Sequence, residues 1–277
     1  MSTITSFQKF ALGLKILENL VEENQPRDEN SSSIFTDSNS HSGYPPIFNT
    51  LQRVEPLSTT CSTDPIILGR SEDGLPIELD IYNNPIGSLL IIGKHVEDKN
   101  LFFRIFTSLL SQGVYLSHNL ILITSQVGHV VSLQDHCDYM DVYHPLSKET
   151  KGILEDLAYT IEQRKYGREL DLPFLVFIED IDSLLRTDDA ETIAWLKYVI
   201  TQGGKSGIQT IACSTAYPFE NPWTNLEGIF NWVIYSQDTL NNQTNDWRKE
   251  RFFQHTRNQN QYLVEIDHDW VKFTIDY

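Results

Sequence analysis

Between an apolar run, Leu89-Leu90-Ile91-Ile92, and a helix-forming stretch, Leu101 to Leu110, the chain reads Gly93-Lys94-His95-Val96-Glu97-Asp98-Lys99-Asn100. A strand, a glycine-led loop and a helix in that order can hold phosphate. Backbone N–H groups converge at the helix N-terminus, and the helix dipole favours an anion there. The full pattern for this chemistry is G-x-x-x-x-G-K-[ST]. Gly93 and Lys99 fill its first glycine and its lysine, while Asp98 stands at the second glycine and Asn100 at the hydroxyl position. An ordinary strand-turn-helix with a glycine in the turn gives the same half-match.

Each departure has a physical meaning. The second glycine lets the backbone come close to phosphate and take unusual dihedrals. Asp98 adds a Cβ and a negative charge beside a polyanion, and Glu97 adds another charge. Two like charges about 4 Å apart repel by about 1 kcal/mol in water, and by several times that in a drier site. Lys99 can still meet phosphate as a point charge. Asn100 lacks the compact hydroxyl that normally sits on Mg²⁺ and offers an amide oxygen in its place. Carboxylates are also favourable at a helix N-terminus. Asp98 or Glu97 is therefore expected to cap the helix and fill the anion hollow from within.

A second constellation lies downstream. Pro173-Phe174-Leu175-Val176-Phe177-Ile178-Glu179-Asp180 is an apolar strand ending in two acids. In nucleotide hydrolases such a strand ends beside the phosphate loop, where one acid holds Mg²⁺ and the next polarises water. The usual order is Asp then Glu. Here either Glu179 takes the metal and Asp180 the water, or Asp180 takes the metal and Ile181 falls where the base should be. Gly207 to Thr215 forms a third segment, a glycine and a strand ending in hydroxyls. Ser214 at that strand end is positioned to sense a γ-phosphate. Two acids or two hydroxyls after a strand are also common without any such role.

The elements that must position these residues follow from periodicity. Ile66–Gly69 and Leu75–Ile81 read as short strands around a Glu72-Asp73-Gly74 turn. Leu89–Ile92, Leu120–Thr124, Phe174–Ile178 and Gln209–Cys213 read as buried strands; Leu101–Leu110, Lys148–Tyr166 and Thr192–Gln202 read as helices. Trp232–Ser236, Tyr262–Ile266 and Val271–Ile275 read as further strands. Apolar strands alternating with helices predict an α/β domain with a mostly parallel central sheet and helices on both faces. Residues 1–23 contain an amphipathic helix from Ser6 to Glu23, whose Phe7, Phe10, Leu14, Leu17 and Val21 recur at helical spacing. Residues 24–63 read as a linker, Ser/Asn/Asp/Pro-rich through Pro46, and the compact domain is expected over residues 64–277. The tethered helix suits docking on its own domain or on a protein partner.

Composition excludes several classes. The 277 residues carry 38 acidic against 21 basic side chains, a formal net charge of -17. A nucleic-acid surface normally presents a basic face. The densest basic stretch, Trp247-Arg248-Lys249-Glu250-Arg251, reads as a solvated surface, so direct DNA binding is disfavoured. The 3 cysteines, Cys61, Cys137 and Cys213, are far apart and form no C-x-x-C. A reducing cytoplasm fits that usage. No apolar run reaches membrane-spanning length, and no secretory signal pattern opens the sequence. His129, His136, Cys137 and His144 match no closed zinc spacing.

Together these segments resemble the FtsK/HerA-type translocase family of P-loop ATPases, from about Pro65 to Tyr277. Ile66-Ile67-Leu68-Gly69-Arg70 through Gly74-Leu75-Pro76-Ile77 is similar to the family's opening hairpin. Glu162-Gln163-Arg164-Lys165-Tyr166 is similar to its Glu-Arg-Arg-Tyr helix end. Leu172-Pro173-Phe174 before the acids, and Lys205-Ser206-Gly207-Ile208-Gln209, resemble two further family segments. The resemblance implies a RecA-like P-loop NTPase fold, ATP and Mg²⁺ as ligands, and a hexameric ring that pumps DNA, or a related domain driving protein secretion. On the matching positions Gly93, Asp98, Lys99 and Asn100 would meet nucleotide. Asn100 and Glu179 would meet Mg²⁺, Glu179 and Asp180 would serve any hydrolysis, and Ser214 would be sensor-like. The family's Thr-Gln-Arg after the sensor strand is here Ser214-Thr215-Ala216. An Arg expected just before Gly207 is Gly204 or Lys205, and lysine lacks the planar fork of an arginine finger. Several catalytic positions are altered while the hydrophobic frame is kept. That implies a degenerate, non-catalytic or weakly ATP-binding subunit of a translocase-type assembly. The alternative is a divergent active ATPase of a DNA- or protein-translocating ring.

Overall fold

A computed structural model describes residues 61–83, 86–93, 99–126, 140–167, 172–187, 189–215, 226–236, 261–266 and 269–275, all within the unit Val54–Tyr277. The expected N-terminal helix and all of the expected linker but residues 61–63 lie outside them. So do Glu97 and Asp98 with the self-capping they were expected to provide, and His129, His136, Cys137 and the basic stretch at 247–251.

The domain is built on one ten-stranded sheet. The strands are β1 Ile66–Ser71, β2 Pro76–Leu79, β3 Ser88–Ile92, β4 Asn119–Ile123, β5 Met140–Tyr143, β6 Phe174–Ile178, β7 Ile208–Ser214, β8 Trp232–Ser236, β9 Gln261–Ile266 and β10 Asp269–Thr274. Their order is β2-β1-β10-β9-β8-β3-β7-β6-β4-β5. From β8 to β5 every neighbouring pair is parallel, and β2, β1, β10 and β9 extend the sheet antiparallel. The inner parallel strands β3, β4 and β6 read as nearly continuous apolar runs because both of their faces are covered. Every residue of β3 and β7 is buried.

The helices are α1 Lys99–Ser111, α2 Lys148–Lys165, α3 Ile181–Leu185, α4 Ala190–Gln202 and α5 Leu226–Ile229. Helix α1 buries Leu101, Phe102, Phe103, Ile105, Phe106, Leu109 and Leu110. Phe102 and Phe106 meet Phe177 of β6 edge-on, with ring centroids 5.8 and 4.9 Å apart. This docking fixes the start of α1 relative to the end of β6. Helix α2 is capped by Ser147, which accepts from the Thr150 N–H, and carries Arg164 and Lys165 in its last turn, where the dipole favours cations.

Two local readings are corrected. Lys99 and Asn100 were expected in the loop, yet they form the first turn of α1. The apolar face starts at Leu101, but a helix can begin before its buried stripe, and lysine is a good helix former. Strand β5 and helix α3 were not expected. The four residues of β5 include an exposed Asp141, and the five of α3 are too few to show a period.

Glycines bring two backbones together at the end of the sheet opposite α1's start. A Cβ on Gly204 would lie 2.6 Å from the Gly87 Cα, and Gly87 itself has φ 68. Gly152, inside α2, has nothing within 4 Å of such a Cβ. Gly204→Ala is therefore expected to destabilise by about 1–3 kcal/mol as the backbones part. Gly152→Ala is expected to stabilise by about 0.5–1 kcal/mol. Urea denaturation of both variants checks the pair; equal midpoints would contradict the packing described.

Candidate functional site

The carboxyl ends of four adjacent parallel strands converge on one rim. Ile92 of β3 pairs with Ser214 of β7, Ala212 of β7 with Ile178 of β6, and Ile178 with Ile123 of β4. Gly93, Ser214, Glu179 and Thr124 are therefore neighbours at the strand ends. From β3 the chain travels to β4 on one side, and after β7 it crosses to β8 on the other. In open α/β sheets the ligand crevice lies at such a reversal, outside the carboxyl ends.

Lys99, in the first turn of α1, donates to Glu179 Oε1 at 3.2 Å. The Glu179 side chain is 1% exposed and that of Lys99 16%. A buried carboxylate needs this kind of partner, because desolvating an isolated charge is very unfavourable. A cation in the first turn also opposes the helix dipole, and Glu179 compensates for that. Burial alone would push the Lys99 ammonium's pKa down. The charge of Glu179, with that of Asp180 adding to it, outweighs burial and raises the value above its ordinary 10.5.

Glu179 has a second partner that sequence reasoning missed. Thr124 donates its hydroxyl to Glu179 Oε2 and accepts from the Gln126 N–H at 3.0 Å. The available signal was a polar residue directly after a buried apolar strand, the position Glu179 itself has after β6.

Asp180 is turned to another job. As N-cap of α3 it accepts from the Ser183 N–H at 3.3 Å and from the Ser183 hydroxyl at 2.7 Å. The structure thus brings Lys99 onto the first acid of the pair, and the second onto a helix cap. Ser214 reaches the rim, where its carbonyl accepts from the Gly93 N–H at 3.0 Å. Its hydroxyl donates to Asp182 Oδ1 at 2.8 Å, and the Thr215 N–H donates to Asp182 Oδ2 at 2.8 Å. Asp182, 7% exposed, was also missed. It lies two residues past the acid pair, in a helix too short to announce itself. Asn100 is half-buried one residue from Lys99. Asp98 falls outside the described residues. Lys205 lies in the short turn Gly204–Ser206, and Arg164 donates to the carbonyls of Ser206, Gly207 and Leu172. Among the described residues no group of three His, Cys, Asp or Glu side chains is placed to hold a metal by itself. Mg²⁺ would therefore need Glu179, the Asn100 amide and phosphate oxygens together.

Removing one partner of a buried pair leaves an uncompensated charge. Lys99→Ala is expected to cost about 3 kcal/mol at pH 7, and Lys99→Met with Glu179→Gln substantially less. Because the folded-state pKa of Lys99 is raised, its contribution is complete below 10.5 and is lost as pH climbs through the folded value. Stability of the chain is expected to fall across that alkaline window, with a shallower fall in Lys99→Met. Denaturant midpoints against pH test both, and identical slopes would contradict the pairing.

No family model matches the sequence, and no curated protein matches it. Solved structures do. ATPases 2 and 3 of EccC from Thermomonospora curvata, in complex with a signal sequence peptide, match at 16% identity and TM-score 0.57, over 77% of this chain and 40% of that one. The pCW3 conjugation coupling protein TcpA, in monomer form with ATPγS, matches at 14% identity and TM-score 0.58, over 80% and 68%. ATPases 2 and 3 of EssC from Geobacillus thermodenitrificans match at 14% identity and TM-score 0.55, over 79% and 46%. The chain spans less than half the length of the EccC and EssC chains. At these identities the likeness is one of fold, and with the strand order above it makes this a RecA-like P-loop ATPase fold.

Proposed function

We propose that this chain is a reduced FtsK/HerA-type domain, a weakly nucleotide-binding or non-catalytic subunit of a multiprotein, translocase-type assembly. The observation that carries this reading is the Lys99–Glu179 pair with Asp180 committed elsewhere. The phosphate-loop lysine already has an internal anion, so ATP must displace Glu179 to reach it. The neighbouring acid that would polarise water is engaged as a helix cap. The Ser214 hydroxyl is donated to Asp182 and so is not offered to a phosphate.

The candidate residues fit Mg-ATP in a limited way. Lys99 would meet phosphate, Asn100 and Glu179 would meet Mg²⁺, and Gly93 would open the loop. Bound Mg²⁺ would neutralise phosphate charge. Glu97 and Asp98, as acids in the loop, would weaken nucleotide binding.

The assembly reading is supported by the company the fold keeps. EccC is described as a Type VII secretion ATPase and TcpA as a conjugation coupling protein. The net charge of -17 favours protein partners or homologous ring subunits over direct DNA contact, and residues 1–23 are the proposed docking segment. Cys61 and Cys213, neither of them in a disulfide, accord with a reducing cytoplasm. No helix among the described residues is long and apolar enough to cross a membrane.

The second reading, a divergent active ATPase of a translocating ring, draws on one contact. Lys99 faces an acid at the end of β6, the juxtaposition a metal-assisted hydrolase also needs. There Asp180 would have to leave its cap and orient water.

Calorimetry with millimolar Mg-ATP, with Lys99→Ala as the control, separates the cases when followed by a turnover assay with and without DNA. Weak, Lys99-dependent binding without turnover is expected. Asp98→Gly is expected to tighten binding about fivefold, from removal of about 1 kcal/mol of repulsion. Sustained turnover would establish the active reading. Absence of heat in both wild type and Asp98→Gly would remove nucleotide from the account.

A further inference from the structure

We propose that Thr124 is a positioning residue: its hydroxyl, oriented by the Gln126 N–H, holds the Glu179 carboxylate toward Lys99. The same bond keeps that carboxylate in place for a divalent cation when phosphate takes the lysine.

The geometry leaves the hydroxyl one arrangement. Gln126 N–H occupies Thr124 Oγ1 as an acceptor, and the hydroxyl's own hydrogen goes to Glu179 Oε2. Both residues are pinned through their backbones. The Thr124 N–H donates to the Tyr143 carbonyl and the Glu179 N–H to the Ile123 carbonyl, each at 2.9 Å. Both are 1% exposed, so water is a poor substitute for either partner. The carboxylate is thus held at two points, Oε1 by the ammonium and Oε2 by the hydroxyl.

The two holds differ in permanence. Lys99 is the group an incoming phosphate would recruit, whereas Thr124 is neutral and has no reason to follow it. When the ammonium leaves, Glu179 keeps the Thr124 bond, and Oε1 is left aimed at the space the lysine vacated. A divalent cation arriving with phosphate meets a carboxylate already turned toward it. Without the hydroxyl, Lys99 is the one partner left to Glu179 among the described residues, and the orientation is lost with the lysine. The metal half of this inference rests on the nucleotide reading; the hold on Glu179 does not.

The test compares wild type, Thr124→Ser and the near-isosteric Thr124→Val in the full chain. In each background Lys99→Met, Glu179→Gln and the double variant are unfolded in urea, giving the coupling between Lys99 and Glu179. Thr124→Ser is expected to keep that coupling within about twofold. Thr124→Val is expected to reduce it roughly tenfold, the scale of one hydrogen bond to a charged group. Unchanged coupling in Thr124→Val overturns the proposal. So does an equal loss in Thr124→Ser, which would show that the hydroxyl is not the cause. If Thr124→Val fails to fold, Thr124→Ala takes its place. This cycle uses no nucleotide, so its outcome does not depend on whether ATP binds. Calorimetry of ATP with Mg²⁺ and with EDTA then reads the metal half. Loss of the Mg²⁺-dependent gain in Thr124→Val, with the gain kept in Thr124→Ser, is expected; an equal gain in all three would overturn it.

Discussion

The Glu179 carboxylate is almost fully withdrawn from water, and the arrangement of the rim follows from the need to compensate it. Its charge requires Lys99, and Lys99 is in reach because α1 is seated against β6 by Phe102 and Phe106 on Phe177. The core and the site are therefore not separate problems. The aromatic contacts that stabilise the helix also set where its first-turn cation lies. A shift of α1 along β6 would cost packing and take the ammonium away from the buried Glu179 carboxylate, so the two effects favour the same register.

Around that pair, residues with similar chemistry do different work because their backbones differ. Glu179 continues the line of β6, its N–H still bonded to the β4 end, and its side chain projects to α1. Asp180 has left the strand and takes the backbone of an N-cap, so its short side chain accepts from the Ser183 N–H and hydroxyl of α3. Asp182 lies inside α3 and ties it to the end of β7 through Ser214 and Thr215. The Ser214 carbonyl in turn holds the Gly93 N–H. A continuous set of bonds thus runs from the acid strand through α3 and β7 to Gly93 after β3.

The sequence revealed the frame well because the frame is apolar. Leu89–Ile92, Phe174–Ile178 and the run ending in Cys213 stand out as strands, since burial on both faces removes polar residues from them. The edge strand Met140–Tyr143 and the short Ile181–Leu185 helix did not, being too brief or too mixed for any period. At the site, Lys99 and Glu179 stood out as candidates in the sequence pattern, but their pairing with each other was not legible in it. Which of Glu179 and Asp180 meets Lys99 was not legible either, because it depends on which backbone has left the strand. Thr124 and Asp182 were invisible for a different reason. A threonine after a strand and an aspartate in a short helix are common, and only the fold places them against residues more than thirty positions away.

The same geometry bears on how strongly a ligand could be held. At a phosphate loop, N–H groups at a helix N-terminus and the helix dipole favour an anion. Here the lysine is already paired with a carboxylate of the same chain. A phosphate gains only the difference between its own interaction with Lys99 and the one it replaces, and it must also leave Glu179 charged and buried nearby. A divalent cation would remove that second penalty, with Glu179, once released by the lysine, as a residue that could hold it. In the proposed nucleotide-bound state, phosphate and metal therefore depend on one another more strongly than at a loop whose lysine starts unpaired. On the proposed reading, weak binding and strict metal dependence would both follow from one internal ion pair.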